Sequence, residues 1–584
     1  MKQFAGIWRK LLGYSRPYLP AVILGLICAV FSTVLTLLGP DRFSELSNLI
    51  LAGITDQPDL RAIREVALTL VLYYGAGSVL HMMQNWIMTT ATQRISGRLR
   101  RDISTKINRL PMWFYNRTTT GDVLSCVTND VDAISQSLQQ SVGNLLTAFA
   151  LFFGAVLLMA LTNGTMALTA IATSLLGFGF LFAMTRKSQR HFSRLQKDLG
   201  ELNGHIEEIY AGHTIVKAYN AEAQEKMTFA RHNEAMRRSA FRAQCFSGMM
   251  QPFMGFVGNL GYVAVCIVGA LLVERERIEF GVIVAFMIYV RLFTQPLSQI
   301  AQSVQSLQSA AAAGERVFAF LEAEELEDEA HKQPCLSCDV AGNVEFDHVR
   351  FGYEDSDRII IKDLSVKVSA GQKIAIVGPT GAGKTTLVNL LMRFHELKGG
   401  EIRLEGIPIT KMSRKELRSQ FCMVLQDTWL FEGTIRENLV YNLEQVSEET
   451  VIRACKAVGL HRFICTLPRG YDTELNDTVS LSAGQKQQMT ITRAMIADRP
   501  ILILDEATSS IDTRTELKIQ QAMDALMKDR TAFVIAHRLS TIQNADLILV
   551  LKDGDVVERG THEELLQRKG FYAQLYQSQF EAPA

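Results

Sequence analysis

Long apolar segments, separated by basic or short polar connections, fill the first half of the chain. Six of them approach the roughly 20 residues that a helix needs to cross a bilayer: Leu19–Leu38, Val66–Thr89, Val142–Leu161, Met166–Met184, Phe246–Val273 and Phe280–Ile300. The first is longer than the apolar core of a secretory signal, which is usually about 7 to 15 residues. A basic amphipathic segment typical of a membrane surface, Met1–Tyr18, precedes it. The pattern predicts an α-helical membrane domain with six spans.

The connections between these segments alternate in charge and length. Arginine and lysine are frequent from Arg94 to Arg117 and again after the fourth segment, whereas Asn163–Thr165 is almost the whole third connection. The positive-inside rule therefore places the long basic connections and both termini in the cytoplasm. Apolar residues recur at helical spacing in the first long connection, at Ile95, Leu99, Ile103, Ile107 and Leu110. The spans are thus expected to continue as helices beyond the membrane.

The pattern changes after residue 320. Glu322–Glu329 is acidic and Pro334 follows, which indicates a linker over residues 321–340 between a membrane domain (1–320) and a second domain (341–584). Beyond it, apolar strands alternate with helical stretches: Val344–Phe351, Lys373–Val377, Ile501–Leu504, Thr531–Ala536 and Leu547–Leu551. This order predicts an α/β nucleotide-binding domain.

A phosphate-binding loop lies between the strand Lys373–Val377 and a helical stretch that begins near Leu387. In such a loop the backbone N–H groups and the helix N-terminus converge on phosphate, the lysine reaches the β and γ groups, and the threonine hydroxyl binds Mg²⁺. The candidate nucleotide-binding residues are Gly378, Pro379, Thr380, Gly381, Ala382, Gly383, Lys384, Thr385 and Thr386. The sequence therefore predicts a site for ATP and Mg²⁺.

Two adjacent carboxylates, Asp505 and Glu506, end the apolar strand that begins at Ile501. Open α/β sheets bind ligands at the carboxyl ends of their strands. Asp505 suits Mg²⁺, and Glu506 can act as the general base that activates water for attack on the γ-phosphate.

Together with Leu481–Gln485, which reads Leu-Ser-Ala-Gly-Gln, these motifs resemble those of the ATP-binding cassette (ABC) family. The resemblance implies that Ser482, Gly484 and Gln485 open a helix that faces the γ-phosphate of ATP held by another domain. It also implies that Tyr353 stacks on adenine, that Gln426 binds Mg²⁺ or water, and that His537 contacts the γ-phosphate. By itself, the segment Ser482–Gln485 could be an ordinary helix cap.

The first half resembles the exporter-type membrane domain of the same family, in which helices at the tips of the intracellular loops transmit force. Pro111–Tyr115 is similar to the first tip and Glu207–Tyr219 to the second. Polar residues also occur within or beside the apolar segments: His81, Gln84, Asn85, Asn259, Arg291 and Gln295. They could contact cargo or bond neighbouring helices, and Arg291 is the strongest candidate for cargo because a guanidinium in a span requires a partner.

A single cassette implies a dimer, because the Ser482 segment must face ATP held by a second cassette. Residues 474–480 before it, Glu-Leu-Asn-Asp-Thr-Val-Ser, lack the glycine that family members usually carry there. This departure resembles exporters with one weakened ATP site, so we expect a second, related half-transporter chain, and a second copy of this chain remains the alternative.

The expected function is therefore ATP-driven export of amphiphilic small molecules, lipids or peptides by an integral protein of a bacterial plasma membrane. Import, or an ATP-gated channel on the same scaffold, remains the alternative. The 60 basic and 60 acidic residues give a net charge of 0, which indicates no nucleic-acid partner, and the six spans exclude an ATPase of DNA maintenance.

Overall fold

The chain folds into two compact units, which are described separately here. A computed structural model describes residues 2–55, 59–336, 340–353, 358–426, 428–443, 445–475, 481–505, 513–535 and 542–580. The helical unit comprises Met1–Asn108 and Gly121–Ala323, and the sheet unit comprises Arg109–Thr120 and Glu324–Ala584. The short segment at the tip of the first long connection thus belongs to the sheet unit.

The helical unit consists of long helices joined by short turns. Its helices are α1 Lys2–Tyr14, α2 Leu19–Thr55, α3 Leu60–Ile107, α5 Thr120–Ser125, α6 Val131–Thr162, α7 Gly164–Ala211, α8 His213–Ala218, α9 Glu222–Gly248, α10 Met250–Glu274 and α11 Phe280–Leu321. A π-helical turn, Cys126–Asp130, joins α5 to α6. The first tip forms the separate helix α4, Met112–Arg117, in the sheet unit.

Several of these helices are much longer than a membrane is thick. The 48 residues of α3 extend over roughly 72 Å, compared with about 30 Å for the hydrocarbon core. Among the described residues, five helices are long and apolar enough to cross a membrane, in α2, α3, α6, α10 and α11. A shorter apolar stretch, Gly164–Leu175, begins α7 and coincides with the fourth predicted span. The predicted intracellular extensions are therefore continuous helices.

The core of the helical unit forms where α11 packs along α6 and α2, and where α7 packs along α9 and α10. Phe286 and Tyr289 of α11 are fully buried there, together with Met159 and Met166. The Tyr289 hydroxyl donates a hydrogen bond to Asp41 at 2.9 Å, so the one polar atom of this ring is satisfied. At the second predicted tip, Gly212 separates the end of α7 from α8.

The described residues of the sheet unit form three β-sheets. Its strands are β1 Val344–Phe351, β2 Ile361–Val368, β3 Lys373–Val377, β4 Gly399–Leu404, β5 Ile407–Pro408, β6 Phe421–Val424, β7 Gly433–Thr434, β8 Glu474–Leu475, β9 Ile501–Asp505, β10 Thr531–Ile535, β11 Leu547–Lys552 and β12 Asp555–Gly560. The large sheet has the order β12-β11-β3-β10-β9-β6, and its strands from β11 to β6 are parallel. A smaller antiparallel sheet has the order β2-β1-β4-β5, and β7 pairs with β8.

Helices pack around these sheets. They are α12 Lys384–Leu391, α13 Arg414–Arg418, α14 Ile435–Val440, α15 Glu448–Val458, α16 His461–Ile464, α17 Ala483–Ala497, α18 Thr513–Met527, α19 His562–Gln567 and α20 Phe571–Phe580. One core, which contains Leu387 and Phe533, joins the large sheet, the smaller antiparallel sheet and α12. Another, with Leu439 and Leu481, lies among α14, α15 and the start of α17. The sheet unit therefore contains a helical layer with its own core.

The acidic segment predicted as a linker is held by buried charges. The Glu329 carboxylate, with its side chain only 10% exposed, accepts from the Arg393 and Arg414 guanidinium groups at 2.8 and 2.9 Å. Its second oxygen accepts the Arg414 backbone N–H at 2.6 Å, and Lys332 lies 3.0 Å away. Burial raises the pKa of Glu329, but the Arg414 N–H, Lys332 and the two guanidinium charges outweigh it and hold this pKa below its usual value. Residues around Glu329 are therefore anchored within the sheet unit.

Candidate nucleotide-binding site

The parallel strands bring three predicted ligand groups to one edge of the large sheet, which we call the carboxyl edge. The phosphate loop follows β3, Asp505 ends β9, and Gln426 lies two residues beyond β6. These strands occur in the order β3-β10-β9-β6 and are all parallel, so their carboxyl ends lie side by side. The arrangement is the one in which open α/β sheets bind ligands.

The phosphate loop has the backbone conformation that its glycines permit. Gly381 and Gly383 have φ angles of +81° and +100°, in the left-handed region that other residues avoid. At Gly378, an added Cβ would lie 2.3 Å from the Leu551 carbonyl oxygen of β11, so a side chain cannot fit there. Pro379 and Thr380 are exposed at the start of the loop, whereas Ala382 is buried beneath it. Glycine is therefore required at these positions for local reasons.

Lys384 begins α12 and folds back over the loop. Its ammonium group donates to the carbonyl oxygens of Gly378 at 2.7 Å and Pro379 at 3.1 Å. Burial lowers the pKa of Lys384, and the negative charge of Asp505 opposes that shift. Lys384 follows β3 and Asp505 ends β9, so both groups belong to the carboxyl edge. Thr385 is exposed beside Lys384 and can offer its hydroxyl to a ligand.

Tyr353 is half-buried against the first turn of α12. Its hydroxyl lies 3.2 Å from Oγ1 of the buried Thr386, so the phenol is tied to the phosphate loop. The Tyr353 ring also meets Phe351 and His395 nearly edge-on, with ring centroids 5.1 and 5.3 Å away. These contacts set the direction in which the Tyr353 ring can stack on a base. Sequence reasoning missed His395, because a lone histidine after a helix belongs to no recognisable motif.

A cavity of about 900 Å³ lies within the sheet unit and has Tyr353 in its wall. Pro111, Trp113 and Asn116, from the first predicted tip, line the same cavity. Trp113 is held by Arg117, whose guanidinium lies 5.1 Å from the indole ring. The tip helix α4 and the predicted adenine-stacking residue thus share one cavity wall.

The segment that resembles the family signature caps α17. Ser482 Oγ accepts the Gln485 backbone N–H at 3.2 Å, and Gln485 Oε1 accepts the Ser482 N–H at 2.8 Å. This is a complete capping box at the start of α17. Ser482 is exposed and Gly484 is buried. Leu481, just before the cap, packs in the core of the helical layer, whereas the phosphate loop lies over a different core. Within one chain, the cap and the phosphate loop are therefore supported by separate cores.

Several predicted residues lie outside the part of the chain that the structure describes. These are the candidate base Glu506, His537, and the segment Asn476–Ser480. The strands that lead to Glu506 and His537 are described. In these strands, Asp505 of β9 pairs with Ile535 of β10.

Comparison with known proteins places this geometry in a family. Residues 22–297 match the ABC transporter transmembrane region, and residues 361–509 match the ABC transporter domain. A fatty acid ABC transporter ATP-binding/permease protein of Mycobacterium bovis is 44% identical over 92% of this chain and 85% of its own length. An ATP-dependent lipid A-core flippase of Syntrophus aciditrophicus is 32% identical over 98% of this chain and 94% of its own length.

A solved structure extends the likeness to the whole fold. It is described as a bacterial Atm1-family ABC exporter with ATP bound. It superposes with a TM-score of 0.74 at 27% sequence identity, over 97% of this chain and 99% of that one. The chain belongs to the ABC transporter family and has the exporter fold.

Family membership confirms several predictions. The chain combines a helical membrane domain with a nucleotide-binding domain, and it is an ATPase coupled to transmembrane transport. The exporter fold implies a lipid bilayer and dimerisation. The helical spans support an integral membrane protein.

Proposed function

We propose that the chain is one half of an ATP-driven exporter of amphiphilic molecules. Two chains bind ATP between their nucleotide-binding domains, which turns the spans outward, and hydrolysis returns them inward. The observation that carries this proposal is the carboxyl edge, where a phosphate loop, a carboxylate and a glutamine converge in the same chain as the membrane-spanning helices.

The donor groups at the carboxyl edge suit Mg²⁺. Thr385 supplies a hydroxyl, Asp505 a carboxylate and Gln426 an amide oxygen, and Mg²⁺ prefers oxygen ligands of this kind together with phosphate. When bound, the ion neutralises charge on the β- and γ-phosphates. Thr385 and Gln426 are both exposed and can therefore reach a ligand.

Each remaining site residue has a task set by its chemistry. Lys384 exchanges the carbonyl oxygens of Gly378 and Pro379 for phosphate oxygens, while the exposed N–H groups of the loop hold the phosphate chain. Tyr353 stacks on adenine. Glu506 removes a proton from the attacking water, and His537 contacts the γ-phosphate.

The second chain completes the site. Ser482, Gly484 and Gln485 face the γ-phosphate of ATP on the partner, and the 15-residue helix α17 directs its positive end there. We propose a related second chain rather than a second copy, because the segment Asn476–Ser480 departs from the family pattern while the phosphate loop is complete. A single chain type that forms an active dimer with cargo-stimulated ATPase activity would contradict this.

The cargo is proposed to be a lipid-like amphiphile, and the location the plasma membrane of a bacterium, with both termini in the cytoplasm. The names of two relatives support this class, since one refers to fatty acids and the other to a lipid A-core flippase. Both relatives come from bacteria.

The test is transport in sealed inside-out vesicles that contain the purified transporter and receive ATP from outside. We expect uphill accumulation of a lipid-like amphiphile that requires ATP and is lost in Lys384→Ala. ATP-dependent flux that only equilibrates cargo would indicate a channel. Accumulation only in right-side-out vesicles loaded with ATP would indicate import.

A further inference from the structure

One face of α11 is polar and exposed, although the helix begins as a membrane span. Phe286, Tyr289 and Phe293 are buried on the opposite face. The exposed residues recur every three or four positions and therefore form one stripe, here called the polar face of α11: Arg291, Gln295, Ser298, Gln302 and Gln305. Such groups are too costly to expose to lipid and face water or the interior of a bundle.

Arg291 stands at the outer end of this polar face. It lies 11 residues after Phe280, roughly 16 Å along the helix and so near the middle of a bilayer core of about 30 Å. Outward of it, the same face continues with the apolar Met287, 38% exposed, and Phe280, 46% exposed. The face thus changes from polar to apolar at Arg291.

The guanidinium of Arg291 has no partner among the residues that the structure describes. No ion pair or side-chain hydrogen bond involves it within the described ranges, where only its backbone carbonyl accepts a bond, from Thr294. Arg393 of the sheet unit, in contrast, is buried between Glu329 and Glu396. A charged donor deep in a span, exposed and unpaired, is suited to an anion that comes from outside the chain.

A second polar face lies on another helix, α6. Gln136, Gln140 and Asn144 are exposed on α6, which packs along α11. The Ser137 hydroxyl lies 2.7 Å from that of Ser306 and fixes the register of the two helices. The two helices run antiparallel. On each helix the polar face includes the residue just before the serine of this pair, Gln136 on α6 and Gln305 on α11, so both faces point to the same side of the helix pair. The two polar faces therefore lie on the same side of the contact between α6 and α11, and the face of α11 ends at Arg291.

We propose that Arg291 binds the anionic head group, carboxylate or phosphate, of an amphiphilic cargo whose chain lies along the apolar part of the face at Met287 and Phe280. This inference rests on the proposed export of amphiphiles and specifies the charge of their head group. The charge complementarity between a lone guanidinium and an anion, and the change from polar to apolar at that residue, both favour such a molecule.

The test is direct binding to the purified full-length transporter in lipid nanodiscs, with radiolabelled oleate as the probe. Oleyl phosphate, the neutral oleyl alcohol, and acetate, which has a head group but no chain, serve as competitors. We expect Arg291→Gln to weaken the binding of oleate and oleyl phosphate roughly ten- to a hundred-fold, which corresponds to the loss of a charged hydrogen bond. The binding of oleyl alcohol should not change. Arg291→Lys should keep most of the preference for anions, and the control Arg277→Gln, which removes an exposed charge after α10, should change nothing.

Three results would overturn the inference. Equal weakening of oleate and oleyl alcohol would mean that Arg291 supports packing, or pairs with the second chain, instead of binding a head group. If Arg291→Gln binds oleate as tightly as the wild type does, Arg291 is not part of the binding site. If acetate competes as well as unlabelled oleate does, the site does not recognise an amphiphile. Because binding is measured without ATP, a failure of ATP-driven accumulation would count against the proposed function and not against this site.

Discussion

The carboxyl edge of the large sheet and the polar face of α11 both gather polar groups that a ligand can reach, but they are prepared differently. At the edge, Lys384 is bonded to two loop carbonyls, and Tyr353 is fixed by Thr386 and two rings. On the polar face, neither Arg291 nor Gln302 makes a side-chain hydrogen bond with any other described residue. A site whose groups are held in place favours one ligand of fixed shape, whereas unbonded side chains can adapt to several. Substitutions at the carboxyl edge should therefore change ATP binding or hydrolysis whichever cargo is present. The effects of substitutions on the polar face should depend on the cargo.

The largest effect is expected from Glu506→Gln. The amide retains the size of the carboxylate but cannot accept a proton, so turnover should fall about 100-fold or more while ATP still binds. ATPase activity and nucleotide binding of the purified variant measure this, with Glu563→Gln, an exposed residue of α19, as the control. The loss should be equal with every cargo, and a rate above about a tenth of the wild-type rate would remove Glu506 as the base.

Glu329→Gln should destabilise the sheet unit. The change removes the buried carboxylate from Arg393 and Arg414 and leaves both with the half-exposed Glu396, and loss of a buried ionic partner typically costs about 3 kcal/mol or more. The thermal unfolding midpoint should fall by about 6 °C or more, whereas Glu401→Gln, which removes an exposed partner of Arg403, should cost less than about 1 kcal/mol. Equal effects of the two variants would show that the buried pair is no stronger than a surface pair.

The same carboxylate predicts a dependence on pH. Because its pKa is lowered in the folded protein, its contribution to stability is present above the unfolded value of about 4.3 and is lost as the pH falls through the folded value. The difference in unfolding midpoint between wild type and Glu329→Gln should therefore be full at neutral pH and shrink below about pH 4. A constant difference across this range would assign the stability to packing instead of charge.

Lys384→Ala should weaken ATP binding by about ten-fold or more, because it removes the charge that faces the phosphates. Lys411→Ala, an exposed lysine away from the loop, is the matched control. Fluorescent nucleotide titration measures the affinity. Unchanged affinity in Lys384→Ala would mean that the bonds to Gly378 and Pro379 persist when ATP binds.

The smallest effect concerns His395. His395→Ala removes one of the two rings that orient Tyr353, a contact worth about 0.5 to 1.5 kcal/mol, so the KM for ATP should rise roughly two- to ten-fold with kcat little changed. His395→Phe should restore it, because the edge-on contact needs only an aromatic ring. A fall in kcat without a change in KM would show that His395 acts on a step other than nucleotide binding.

Some of these features could be predicted from the sequence, and others could not. The phosphate loop, the strands β3 and β9 and the tip helix α4 were predictable because a motif or a regular apolar pattern specifies each locally. The anchoring of Glu329 by Arg393 and Arg414 was not, since the carboxylate and its partners are separated by 64 and 85 residues and only the fold brings them together. His395 was missed for the same reason. Arg291 was singled out because charge is costly in a span, but its lack of a partner and the stripe around it required the structure.

The roles of Glu506, His537 and the segment before Ser482 stay predictions from sequence, because those residues lie outside the described part of the chain. The strands that precede Glu506 and His537, β9 and β10, end in register at Asp505 and Ile535.

The capping box at Ser482 has a consequence for the hydrogen bonds that this side chain can offer to a ligand. The Ser482 oxygen accepts the Gln485 N–H, a bond that does not use the hydroxyl hydrogen, and Ser482 is exposed. The Gln485 side-chain oxygen in turn accepts the Ser482 N–H. The cap therefore holds the Ser482 oxygen at the helix end while its hydrogen stays available to donate, so an anionic oxygen that approaches there can accept a bond from a donor already held in position.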